Sequence, residues 1–105
     1  MRQQGRHLTS RLLILAWIPN DVGQLRIGFV VSKRISKLAV ERNYIKRLLS
    51  ESVRPLLSEL PTGWDIVISA RGEAAQADLQ TLKQEIVTLL RKARLLETAR
   101  KVEIE

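Results

Sequence analysis

Gln24-Leu25-Arg26-Ile27-Gly28-Phe29-Val30-Val31-Ser32 alternates, with Leu25, Ile27, Phe29 and Val31 on one face and Arg26, Gly28, Val30 and Ser32 on the other. A two-residue period is that of a strand with one buried face. Beyond Lys37 the period changes. Leu38, Ile45, Leu48, Leu49 and Ser52 gather within about 100° of a helical wheel, so residues 39–54 read as a helix. Pro55 interrupts it and biases Arg54 away from helical backbone. Pro61-Thr62-Gly63 supplies turn chemistry, and Trp64-Asp65-Ile66-Val67-Ile68-Ser69-Ala70 alternates again. Strand, helix and strand in this order predict a parallel pair, whose connection is in general right-handed.

Upstream, Leu12 to Ile18 is a continuous apolar run, too short for an ordinary helix and therefore read as a strand. Pro19-Asn20-Asp21 ends it, and the short link to Gln24 predicts an antiparallel pairing of these two strands. Residues 1–10 are polar and basic, either a flexible start or a short edge strand around Arg6 to Ser10. Downstream, Asp78 suits a helix N-cap, and Leu79, Leu82, Ile86, Leu89, Leu90 and Ala93 form an amphipathic stripe to about Arg94. Residues 97–105 are charged and read as a frayed tail. The 105 residues are one domain's worth. The expected architecture is α+β: a two-layer sandwich with helices on one face of a small mixed sheet.

Composition removes several classes. With no cysteine there is no disulfide scaffold, thiolate zinc site or cysteine nucleophile, and the lone His7 rules out a histidine-rich metal centre. No apolar stretch reaches the ~18–20 residues of a membrane span. No secretory signal pattern is present, so the expected setting is soluble and cytoplasmic. His7 lacks an obvious partner, and Asp21, Asp65 and Asp78 are scattered. No Walker loop, Gly-x-Gly-x-x-Gly or His-Glu-x-x-His motif occurs. No catalytic set and no metal site is therefore expected in the protein itself.

The charge is uneven. Residues 1–54 carry 11 basic and 3 acidic side chains, whereas residues 55–105 carry 7 and 8. A one-sided basic half points to a polyanion partner. The densest segment holds Lys33, Arg34, Lys37, Arg42, Lys46, Arg47 and Arg54 against Glu41 and Glu51. With Arg42 at zero on the wheel, Lys46, Asn43, Arg54 and Arg47 fall within about 140°, away from the apolar stripe. Arginine offers phosphate a forked donor set and lysine a point charge, while Asn43 can donate and accept at a sugar or base edge. The competing reading is a solvated face in which Glu41 and Glu51 neutralise part of the charge.

The segment Arg42-Asn43-Tyr44-Ile45-Lys46-Arg47-Leu48-Leu49-Ser50-Glu51, preceded by Gly28-Phe29-Val30-Val31-Ser32-Lys33-Arg34, resembles the bacterial ribonuclease P protein family. That family's pattern is a strand ending in Val-Ser-Lys-Lys and then a helix bearing Arg-Asn-Arg-x-x-Lys-Arg-x-x-Arg-Glu. The similarity covers about residues 5–96. It implies a ribosomal-protein-like fold with a left-handed strand–helix–strand crossover. It also implies a protein subunit that assists a catalytic RNA, with magnesium bound chiefly by that RNA, in removing the 5′ leader from precursor tRNA. Lys33, Arg34, Lys37, Arg42, Asn43, Lys46, Arg47 and Arg54 would then hold the catalytic RNA. The leader would follow the sparse sheet face along Arg26, Gly28 and Ser32, near Trp17 or Phe29. Because only four aromatics exist, Trp17 and Phe29 also read as core. One protein per RNA is implied, with no membrane partner.

Three departures from the pattern bear on this. Tyr44 and Ser50 stand where the family usually has arginines, which thins the positive field; Tyr44 either stacks on a base or packs locally. Family members also open with an aromatic-bearing helix that walls the leader cleft. The present sequence starts beyond that point, through either a start codon placed late or a real loss of the helix. The other function that fits the same residues is a general RNA-binding or ribosome-associated module with no role in tRNA processing.

Overall fold

The computed structural model describes residues 5–95, so the tail expected to fray lies outside them. The elements in chain order are β1 (Arg6–Thr9), β2 (Leu13–Pro19), β3 (Arg26–Val30), α1 (Ala39–Val53), β4 (Trp64–Ala70) and α2 (Leu79–Lys92). Short 3-10 turns at Arg54–Glu59 and Gly72–Gln76 follow α1 and β4. The first carries the chain past Pro55, whose missing N–H is tolerated in an opening turn.

The four strands form one mixed sheet in the order β1-β2-β4-β3. β3 and β4 are parallel, as a strand–helix–strand unit requires, and β2 is antiparallel to both β1 and β4. The expected β2–β3 pairing does not form: β4 lies between them. Two features account for this. The apolar run of β2 pairs along its whole length with β4, from Leu13 opposite Ala70 to Pro19 opposite Trp64, whereas β3 is shorter and sparser. The link between β2 and β3 also straddles the start of β4. The Asn20 amide donates to the Gly63 carbonyl (2.9 Å), and the Gly63 amide donates to the Gln24 carbonyl (3.2 Å). Gly63 holds this place at φ +84°, a conformation that suits glycine.

The register assigns the faces. Leu13, Leu15 and Trp17 of β2 and Ile66 and Ile68 of β4 point to one side and are buried. Ile45, Leu49 and Val53 of α1 and Leu82, Ile86, Leu89 and Leu90 of α2 complete this core, with Ile27 and Phe29 of β3 packed against it. Each fully buried leucine or isoleucine here contributes about 1.5–3 kcal/mol of transfer free energy. Asp78 caps α2 as expected, its carboxylate accepting from the Thr81 amide at 2.8 Å. Leu38 does not join the apolar stripe. It is the N-cap of α1, with extended backbone (ψ 121°), and its side chain is 58% exposed. A wheel position means nothing for a residue outside the helix. Inside α1, Ser52 is fully buried, its hydroxyl donating to the Leu48 carbonyl at 2.7 Å.

Candidate nucleic-acid interface

Two surfaces of the sandwich carry the residues that the sequence marks for binding. The first is the exposed side of α1 with the loop leading into it. Val31 is buried and anchors the end of β3, and Ile35 is half-buried; between and beyond them Ser32, Lys33, Arg34 and Lys37 are exposed. The loop is shaped by local bonds. The Ile35 amide donates to the Ser32 carbonyl (3.0 Å), the Leu38 amide to the Ser36 hydroxyl (3.2 Å), and the Ser36 hydroxyl to Glu41. Arg42 is half-buried, and its guanidinium donates to the Ser36 carbonyl at 2.9 Å. It therefore braces the loop that presents Lys33, Arg34 and Lys37 as well as adding charge.

Asn43, Lys46 and Arg47 are exposed on α1, and Arg54 is exposed just beyond its end. Among the described residues the ion pairs are Arg11–Glu73 (3.2 Å) and Arg26–Asp65 (2.8 Å), so none of the α1 cations is neutralised in this way. Glu41, one of the two acids that could have neutralised the face, is engaged by Ser36 instead. Tyr44 is 57% exposed.

The second surface is the sheet face away from the helices. The register sets His7, Ala16, Val67 and Gly28 in one row across all four strands, small side chains inside and His7 at one edge. Ile18, Asp65 and Arg26 make the next row. A hollow of about 320 Å³ opens here, lined by Gly5, His7, Ala16, Ile18, Asp65 and Val67 among others. A Cβ built on Gly28 meets nothing within 4 Å, so the protein's own packing does not demand glycine there. The sequence marked Gly28 correctly as an open position but missed the hollow, because the central place of β4 was not read.

The leader group is split by the fold. Arg26 and Gly28 lie on the open face and Ser32 follows in the exposed loop, but Trp17 and Phe29 point to the helix-covered side. Trp17 is 9% exposed and belongs to the core, the other of its two readings, while also lining the hollow; Phe29 is half-buried against the same core. Too few aromatics exist to fill the core without them. Arg26 is also not a free cation. Its Nε and an Nη each donate to a different carboxylate oxygen of Asp65 at 2.8 Å, and the Asn20 amide group donates to Asp65 at 2.7 Å. Arg26, then Asn20, hold the Asp65 carboxyl below the ordinary carboxylate range.

A small basic two-layer α+β protein, with one cationic helix and one sheet face left uncovered by the described residues, is the class that this fold and these surfaces define. The sequence model described as Ribonuclease P matches residues 1–94. The ribonuclease P protein component of Caldanaerobacter subterraneus subsp. tengcongensis is 45% identical over 93 residues, spanning 89% of this chain and 79% of that one. That of Chloroflexus aurantiacus is 44% identical over 97 residues, spanning 91% and 71%. In three dimensions, the RNase P protein of Staphylococcus aureus superposes with a TM-score of 0.78 at 25% identity, covering 89% of this chain and 84% of that one. The Thermotoga maritima protein gives 0.75 at 26% identity, covering 85% and 86%. The chain belongs to the ribonuclease P protein family.

Proposed function

We propose that α1 and the loop before it grip the catalytic RNA of ribonuclease P, while the open sheet face takes the 5′ leader of precursor tRNA. Family membership fixes the coarser assignment: the chain is a protein component of ribonuclease P, part of an endoribonuclease that works in tRNA processing. The observation that carries the finer reading is the run of unpaired cations. Lys33, Arg34, Lys37, Lys46, Arg47 and Arg54 are exposed and outside the described ion pairs, so their charge is available to phosphate. Asn43 sits among them with both hydrogen-bonding senses. Arg42 holds the loop in place.

In this reading the RNA does the chemistry, and the protein supplies grip and orientation. Among the described residues no three His, Asp or Glu side chains converge into a metal-binding group. In this reading magnesium is bound chiefly by the RNA, where it would lower the pKa of an attacking water. The protein raises local affinity for substrate through the leader and screens phosphate repulsion between two RNAs. One protein acts per RNA.

Cleavage of precursor tRNA tests this. RNA-free protein is expected to leave the substrate intact and, added to its cognate RNA, to raise cleavage at low magnesium. Robust cutting by protein freed of RNA sinks the assignment of chemistry. Equal affinity for leader-bearing and leaderless tRNA sinks the role of the open face and favours a general RNA-binding module.

A further inference from the structure

We propose that Asp65 decides how the open sheet face holds the leader: by keeping Arg26 occupied it leaves this face without an available cation, so the leader is held through bases and sugars rather than through phosphates. This rests on the reading that the leader lies on that face. The register adds one more row, Thr9, Ile14, Ser69 and Val30, to the two already described. Ile14, Ala16, Ile18, Val30 and Val67 make the middle of the face apolar, with Val30 48% and Val67 37% exposed. Arg26 is the one lysine or arginine in these rows, and both its contacts of 2.8 Å go to Asp65. Asp21 adds negative charge nearby. Other cations stand at the border. Arg6 is opposite Trp17 and so shares that residue's side of the sheet, and Arg71 donates to the Ser10 carbonyl at 2.7 Å. Lys33 and Arg34 belong to the exposed loop beyond β3.

A phosphate approaching Arg26 meets the Asp65 carboxylate at the same time, and the pair has no net charge to offer it. If the guanidinium turned from Asp65 to the phosphate, it would leave one anion beside another. Single-stranded RNA has other handles. Its unstacked bases present flat faces and hydrogen-bonding edges, and its riboses carry a 2′-hydroxyl. The aliphatic middle of the face suits base faces, while His7, Thr9 and Ser69 can donate to or accept from the edges and hydroxyls. Gly28 and Ala16 leave depth for a base or ribose to come close to the strands. Contacts of this kind release no counterions, so their strength does not follow salt.

The test uses holoenzyme reconstituted from the full chain and its catalytic RNA, at fixed magnesium. It measures the ratio of affinities for leader-bearing and leaderless tRNA while salt is raised about tenfold; contacts common to both substrates cancel in the ratio. For wild type the ratio is expected to exceed one and to stay constant. Asp65→Asn frees Arg26, and the ratio is then expected to fall about 5-fold over that range, the dependence of one single-strand phosphate contact. The double variant Arg26→Gln with Asp65→Asn removes both charges and is expected to restore the flat wild-type ratio, which a merely damaged fold would not do. A wild-type ratio that falls with salt and flattens in the double variant shows Arg26 gripping phosphate and overturns the proposal. A fall that persists in the double variant gives leader phosphate to a border cation and overturns it too. A flat ratio in Asp65→Asn overturns the part assigned to Asp65. A wild-type ratio of one at every salt is a different failure: it takes the leader off the open face, and the proposal goes with the reading on which it rests.

Discussion

Asp65 shows how one side chain changes the meaning of another. Arg26 is a basic residue on an open strand face, and the family resemblance puts it beside the leader. The fold brings Asp65 against it from 39 residues away and fixes both guanidinium contacts, so that its charge is largely spoken for. No local pattern announces a pairing at that separation. The same contact has a pH signature. The folded carboxyl titrates below its ordinary value of 3.8, so its stabilising contribution is complete above that value and disappears as pH falls through the folded-state pKa. Wild type is therefore expected to exceed Asp65→Asn in stability at neutral pH, with the gap closing on acidification below about pH 4. Urea unfolding as a function of pH measures this. A gap of constant width down to about pH 3 would show that the ionised pair contributes nothing.

At the scale of elements, every main strand and both helices were legible, because each writes its period locally. Trp64–Ala70 and the Asp78 cap followed directly from sequence. Leu38 did not: the helix reads from residue 39, where α1 begins, yet spacing counts Leu38 in its stripe, and it stands outside the helix as the N-cap. The end of α2 was also silent. There Arg94 adopts φ +63°, the Arg94 amide donates to the Arg91 carbonyl, and the Leu95 amide to the Leu90 carbonyl (both 3.0 Å), tucking Leu95 into the core. This is a left-handed helix stop of the kind that glycine usually fills. Arg94→Gly is expected to stabilise the protein by about 0.5–1 kcal/mol, read as a higher unfolding midpoint; an unchanged or lower midpoint refutes the strain. Leu82→Ala acts the other way. Leu82 is fully buried between α2 and the sheet, and its truncation is expected to cost about 2–5 kcal/mol. A loss below about 1 kcal/mol would mean that the helix is not held by this contact.

For the whole molecule, the strand order was the part that sequence could not supply. The bridge from Asn20 and Gln24 to Gly63 joins segments about forty residues apart, and with the full-length pairing of β2 and β4 it sets β4 between β2 and β3. With that order comes the row His7–Ala16–Val67–Gly28 and hence the hollow on the uncovered face. The cationic helix, by contrast, was readable as charge alone. Gly28 allows the uncovered face to be tested without disturbing the core. Gly28→Val adds a side chain where nothing lies within 4 Å, so stability is expected to hold or rise by up to about 1 kcal/mol. Affinity for precursor tRNA is expected to fall, while affinity for leaderless tRNA stays the same. Titration of both RNAs checks this, and identical behaviour toward the two would remove the leader from that face.

The place of β4 also sets the order of events during synthesis. β2 and β3 leave the ribosome before the strand that joins them, and α1, made next, emerges with no finished sheet to rest on. Until about residue 70 has been translated, the nascent chain carries a basic segment and two strand edges facing water. Such pairings between distant segments form slowly and leave edges open to wrong partners. The finished sheet beneath α1 is thus among the last features this chain acquires, although the cationic residues it supports lie in the first half to be made.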